Sequence, residues 1–223
     1  MYKIIGNRMV KDIQKHFEKE RYVVIREFLS QEMCTILYRY FIMHSEATRY
    51  KMEKSPDKYD KEWDGKFGDS FGEHSFAYYG DPLGDSILEM MLPDMESFTG
   101  KTLLPNYSYW RLYYTNAELH KHTDRPSCEI SSTICLGYDI SNLAGNYSWP
   151  INLRKFRSDD EVSVILNPGD MLVYRGCDLS HWRDAFKGIN HAQMFLHFTD
   201  ANGRYKEELF DGRDLLGVAS GLN

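Results

Sequence analysis

Apolar positions change their period partway along the chain, and the change divides it into two parts. In the first part the spacing is mostly helical. Ile13 and Phe17 fall on one face of a short helix predicted over residues 10–20. Tyr22, Val23, Val24 and Ile25 are four aromatic or β-branched residues in a row, the pattern of a buried strand. Ser30 reads as the N-cap of the next helix, and Met33, Ile36, Leu37, Tyr40 and His44 follow on one side of it. That stripe predicts a helix packed on a sheet. Residues 50–69 are rich in lysine and aspartate and carry Gly65 and Gly68, which predicts a solvated loop or a lid. A short strand is expected over residues 76–79, ended by Gly80-Asp81-Pro82. A helix from about Leu83 to Met91 is expected to break at Pro93, resume over residues 95–98 and stop at Gly100.

After Pro105 the texture becomes strand-like. Strands are predicted at 107–114, 131–139, 162–166, 171–174 and 193–198, with Asn167-Pro168-Gly169-Asp170 as a tight turn. Many short strands joined by Gly/Pro turns predict a sandwich, jelly roll or barrel. A chain of 223 residues suits one domain. The expected organisation is a helical portion over about 1–104, a barrel over about 105–200, and a surface tail from Gly212 to Asn223.

The bulk properties narrow the partners. A formal net charge of -6 argues against general affinity for nucleic acid or anionic membrane. No apolar run is long enough to span a bilayer, and the first residues lack the pattern of a secretory signal. Cys34, Cys128, Cys135 and Cys177 are scattered with no Cys-x-x-Cys, so reduced thiols in a cytoplasmic protein are expected.

The candidate chemistry lies between Tyr113 and Glu129. His122 and Asp124 stand two apart, so in an extended chain both side chains point to one face. A metal ion there needs a further ligand, and His181, after a strand-like run, is the best candidate. Two histidines and one carboxylate form the facial triad of non-haem Fe(II) oxygenases, which leaves positions open for a co-substrate and O2. His-x-Asp alone is weak evidence, because it arises by chance in many chains. The surrounding pattern is stronger: Arg111, Tyr113, Leu119, His122, Asp124 and Arg125, then Gly169, Asp170, Leu172 and Tyr174, then His181. A cupin motif would need a glutamate where Pro126 and Ser127 stand. No Gly-x-Ser-x-Gly elbow, phosphate loop or dinucleotide fingerprint is present.

With these motifs the sequence resembles the Fe(II)/2-oxoglutarate-dependent dioxygenases, in the branch that looks like prolyl 4-hydroxylases, from about Tyr22 to His197. The resemblance implies a mainly β fold with flanking helices: a double-stranded β-helix, or jelly-roll barrel, with the N-terminal helices packed on one face. It implies His122, Asp124 and His181 as catalytic Fe(II) ligands. It also implies 2-oxoglutarate and O2 as co-substrates, with decarboxylation to succinate coupled to hydroxylation. Asp124 stands where related halogenases have a small residue, which favours hydroxylation. Family members usually carry an arginine or lysine about ten residues past the distal histidine, to fork onto the far carboxylate of 2-oxoglutarate. This chain has His191 there. Arg183 and Arg125 are alternative anchors, and Tyr113 and Tyr138 are expected to line the co-substrate pocket. Arg125, Glu129 and His120 are candidates for holding a polar substrate, whether an amino acid, a peptidyl residue such as proline or another small metabolite. The rival expectation is a catalytically silent jelly-roll protein that binds a metal or ligand.

Overall fold

A computed structural model of the chain describes residues 7–69 and 72–218. α1 (Asn7–Glu20) buries Phe17 and leads into β1 (Tyr22–Ile25). α2 (Gln31–Lys54) starts at Ser30, whose hydroxyl accepts the Met33 amide at 3.3 Å. Its buried stripe is Cys34, Leu37, Phe41, Ser45 and Thr48, so the helix is rotated from the expected face and Ile36 is 63% exposed. Small Ser45 and Thr48 can close against the sheet because their hydroxyls donate locally, to the carbonyls of Ile42 and Asp64.

Residues 50–69 are more ordered than a solvated loop. α2 runs on to Lys54, and α3 (Lys61–Asp64) and β2 (Lys66–Asp69) follow. Asp64 organises the stretch: its carboxylate takes Lys51 Nζ at 2.6 Å and the Asp60 amide at 2.9 Å. β3 (Gly72–Tyr79) pairs with β2. α4 (Pro82–Thr99) is continuous through Pro93, against the break expected there. An interior proline costs roughly 3 kcal/mol. Leu88 and Met91 before it and Met95 and Phe98 after it are all buried, each worth about 1.5–3 kcal/mol. Their burial outweighs the lost bond.

The remaining strands are β4 (Leu103–Tyr114), β5 (Leu119–His122), β6 (Ile130–Asp139), β7 (Ile151–Arg154), β8 (Glu161–Val164), β9 (Met171–Tyr174), β10 (His181–Arg183) and β11 (Asn190–Asp200). They form two antiparallel sheets, a major one ordered β1-β9-β6-β11-β4-β3-β2 and a minor one ordered β5-β10-β7-β8. Alternation along the central strands sorts their side chains. Trp110 and Leu112 of β4 and Met194, Leu196 and Phe198 of β11 join Leu37, Phe41 and Met91 in a core beneath the helices. Tyr107, Tyr109, Arg111 and Tyr113 of β4, with Phe195 and His197 of β11, line a cavity on the opposite side.

The described part of the expected C-terminal surface tail is largely exposed or half-buried, but it is pinned to the body of the protein by one buried residue, Arg213. Arg213 and Asp85 form an ion pair at 2.9 Å with side chains only 3% and 2% exposed, and Arg213 also donates to the Asn106 carbonyl. Residues 219–223 of the expected tail lie outside the described residues. Truncation would leave the Asp85 charge buried without its partner. Arg213→Ala is therefore expected to lower unfolding free energy by about 3–5 kcal/mol, read as a fall in the urea midpoint; a change within about 0.5 kcal/mol, the range of ordinary surface substitutions, would show that the segment is not structural.

Candidate metal centre

The centre is built by strand register. β5 and β10 are antiparallel partners with His122 directly opposite His181, so both imidazoles project to the same face, ring centroids 4.3 Å apart. Two residues beyond His122, the Asp124 amide donates to the Gly176 carbonyl at 2.9 Å, which turns the carboxylate back toward the pair. Asp124 Oδ1 lies 3.6 Å from His122 Nε2 and 3.5 Å from His181 Nε2. Each of the three side chains thus offers a ligand atom to one point.

The surrounding bonds select the ligating forms. His122 Nδ1–H donates to the His120 carbonyl at 2.7 Å and His181 Nδ1–H to the Leu179 carbonyl at 3.0 Å, leaving both Nε2 atoms as acceptors. Ser131 donates to Asp124 Oδ2 at 3.0 Å, so Oδ1 is the oxygen turned to the histidines. Burial alone would push the Asp124 carboxyl up, but His181 and His122 hold it below its ordinary value. Burial also opposes the His122 cation, yet Asp124 and the His120 carbonyl raise that group. His181 is pushed down by burial, which Asp124 only partly offsets. An anionic carboxylate flanked by two tautomer-locked imidazoles fits a divalent cation of borderline softness.

Gly176 makes room for this arrangement. A Cβ there would stand 2.0 Å from Asp124 Oδ2 and 2.5 Å from the Cys128 carbonyl. Asp124, Cys128 and His197 form a second group of potential ligands. That cluster is already hydrogen-bonded: Ser131 Oγ lies between Asp124 Oδ2 and His197 Nδ1, and Cys128 Sγ contacts the Tyr107 hydroxyl at 2.9 Å.

The triad opens into a cavity of about 360 Å³ walled by Tyr79, Tyr107, Tyr109, Tyr113, Tyr174 and Phe195. Two arginines border it with their charges met. Arg111 forks onto Asp69 at 3.0 and 2.7 Å, and Arg125 onto Asp211 at 2.5 and 2.6 Å, where the Tyr79 hydroxyl also donates.

The other residues singled out from the sequence are distributed unevenly. Tyr113 and Arg125 line the cavity. His120 is exposed and contributes its carbonyl rather than its ring. Glu129 is buried elsewhere, accepting from Arg175 and the Asp200 amide. His191 and Tyr138 stack at 5.3 Å and face a separate void of about 60 Å³. Arg183 is buried on β10 beside Trp149. His197 reads from the sequence as a core or pocket histidine hydrogen-bonded internally, and it does contact Ser131 Oγ at 2.9 Å. Sequence reasoning passed over Ser131, Phe195 and Asp211. Alternation along β11 was the available signal for Phe195; Ser131 and Asp211 reach the site only through tertiary packing.

No protein-family model and no curated protein sequence matches the chain. Solved structures do match by fold. A prolyl-4-hydroxylase from Pseudomonas putida superposes with a TM-score of 0.59 at 12% identity, covering 86% of this chain and 99% of that one. A 2OG-Fe(II) oxygenase-family oxidoreductase from Burkholderia pseudomallei gives 0.61 at 13% identity, covering 91% and 95%. HygX from Streptomyces hygroscopicus, with nickel and 2-oxoglutarate bound, gives 0.55 at 9% identity, covering 89% and 88%. The two facing sheets with helices on one side are therefore the jelly-roll fold of the prolyl-4-hydroxylase-like 2OG-Fe(II) oxygenase structures.

Adding one methyl at Gly176 should disturb the centre by pressing on Asp124, without replacing a ligand. Gly176→Ala is expected to weaken Co(II) binding by roughly 10–100-fold while far-UV circular dichroism stays unchanged; undiminished Co(II) affinity would mean that Asp124 is not held against Gly176.

Proposed function

We propose that the chain is an Fe(II)- and 2-oxoglutarate-dependent oxygenase that hydroxylates a polar substrate, either a small metabolite or a peptidyl side chain. The observation that carries this reading is the convergence of His122 Nε2 and His181 Nε2 on Asp124 Oδ1, at 3.6 and 3.5 Å, at the edge of an aromatic-walled cavity. His122, Asp124 and His181 would hold the iron on one face, leaving adjacent positions open. When bound, the metal supplies O2 activation coupled to decarboxylation of the 2-oxo acid.

The chain's own residues supply binding and orientation. The carbonyls of His120 and Leu179 fix the imidazoles, and Ser131 fixes the carboxylate. Tyr107, Tyr109 and Phe195 keep the cavity walls apolar, limiting water around the reacting carbon. Arg125 and Asp211 place a paired charge at the border for polar groups of the substrate. A volume of about 360 Å³ suits a small molecule or a single inserted side chain rather than an extended polymer. The silent-binder alternative rests on the neutral, enclosed His191 in place of a basic anchor; burial and the nearby Arg183 charge push that imidazole far below its ordinary value.

Protein purified without oxygen and loaded with Fe(II) is expected to release succinate from 2-oxoglutarate when O2 is admitted. Asp124→Ala should reduce that release to the level seen without protein, because the remaining two imidazoles lack the anionic ligand. Succinate output at the wild-type rate in Asp124→Ala would remove the iron assignment.

A further inference from the structure

We propose that Arg183, backed by the Tyr113 hydroxyl, is the anchor for the far carboxylate of the 2-oxo dicarboxylate, so that β10 rather than β11 carries the counter-charge. This rests on the co-substrate named above and assigns the residue that selects it.

Arg111, Arg183 and Arg213 are all buried arginines. Arg111 is paired with Asp69 and Arg213 with Asp85. Arg183, 2% exposed, has no carboxylate against it among the described residues. Its Nη1 donates to the Trp149 carbonyl at 2.8 Å and its guanidinium lies 4.7 Å from the Trp149 ring centre. Nε and Nη2 reach no partner, and neither does the buried Tyr113 hydroxyl. A buried ion costs several kcal/mol unless it is paired and its remaining protons are satisfied. Here one anion would satisfy all three orphaned groups: a carboxylate accepts the two guanidinium protons as a fork and the phenol proton besides.

The position suits the end of a metal-bound co-substrate. His181 and Arg183 are buried on one face of β10, and Trp182 between them is turned outward, toward Lys121. Two strand residues span roughly 7 Å, within reach of a five-carbon chain held at its other end by the metal. Arg183 is paired in the ladder with Leu119, and Leu119 and Tyr113 both line the cavity. His191 is unsuited to the task. Its ring is enclosed by Tyr138, Trp149 and Phe186 at 5.3, 5.0 and 5.7 Å, its nitrogens face Gln193 and Cys135, and it lines the separate small void.

The test uses the Co(II)-loaded protein, thermal unfolding and equilibrium binding, so it does not depend on turnover. Wild-type protein is expected to be stabilised by 2-oxoglutarate and far less by pyruvate, which lacks the second carboxylate. Arg183→Met should bind 2-oxoglutarate roughly 100-fold more weakly while holding Co(II) as wild type does. Arg183→Lys, which keeps the charge but not the fork, should fall between them, and it carries the test if the methionine variant does not fold. His191→Leu should stay within about threefold of wild type, having lost no contact to the anion. Wild-type affinity in Arg183→Met or Arg183→Lys, or a loss confined to His191→Leu, overturns the assignment. So does wild-type protein that holds Co(II) yet ignores 2-oxoglutarate. If wild-type protein holds no Co(II), the oxygenase reading fails on its own, and glutarate added to metal-free protein then decides the anion site: stabilisation of wild type but not of Arg183→Met sustains it, and equal response overturns it.

Discussion

The antiparallel pairing of β5 with β10 is the constraint from which the site follows. It sets His122 opposite His181, and it does so with a strand of four residues against a strand of three. Side chains alternate faces with a period of two, so a slip of one residue would turn one imidazole out of the centre. Other contacts pin the register. β7 pairs along the far edge of β10, and the Leu179 and His120 carbonyls hold the rings once they arrive. Asp124 then needs only the Gly176 carbonyl and a missing side chain at Gly176 to complete the set.

Around that pairing the major sheet separates two kinds of chemistry by alternation alone. One face carries Trp110, Leu112, Met194 and Leu196 into the helices, where α2 and α4 close the core. The other face carries Tyr107, Tyr109, Arg111 and His197 toward the cavity at the candidate metal centre. Packing on the helical side fixes where β4 and β11 lie, and their opposite faces are cavity walls. A site mounted on strands is held more closely than one mounted on loops.

Charge compensation makes the same division visible. Arg111 and Arg213 are enclosed with their own carboxylates, so their cost is met within the chain. Arg183 is enclosed with its neighbours' aromatic rings and one carbonyl instead. Among the described residues the fold pairs two of its buried arginines and leaves Nε and Nη2 of the third without a partner, the contrast on which the proposed anion site rests. The position usually basic in the resembling family is here an imidazole sealed against Tyr138 and Phe186.

The sequence by itself determined the β-rich roll after Pro105 and the helices before it, and it singled out His122, Asp124 and His181, which the fold brings to one point. Short-range periodicity and ligand spacing are local properties and need no partner. It misjudged α2, where two helical stripes competed and the small hydroxyls of Ser45 and Thr48, not the larger Ile36, proved able to sit against the sheet. It misjudged Pro93 for the same reason: burial of Leu88, Met91, Met95 and Phe98 against distant residues outweighed the local preference. It offered His191, Arg183 and Arg125 as anchors without a means of choosing. Only tertiary structure distinguishes an arginine that has met its carboxylate, as Arg125 has in Asp211, from one that has not. Satisfaction of a buried group depends on which residues surround it in space, and that information is absent from any single stretch of chain.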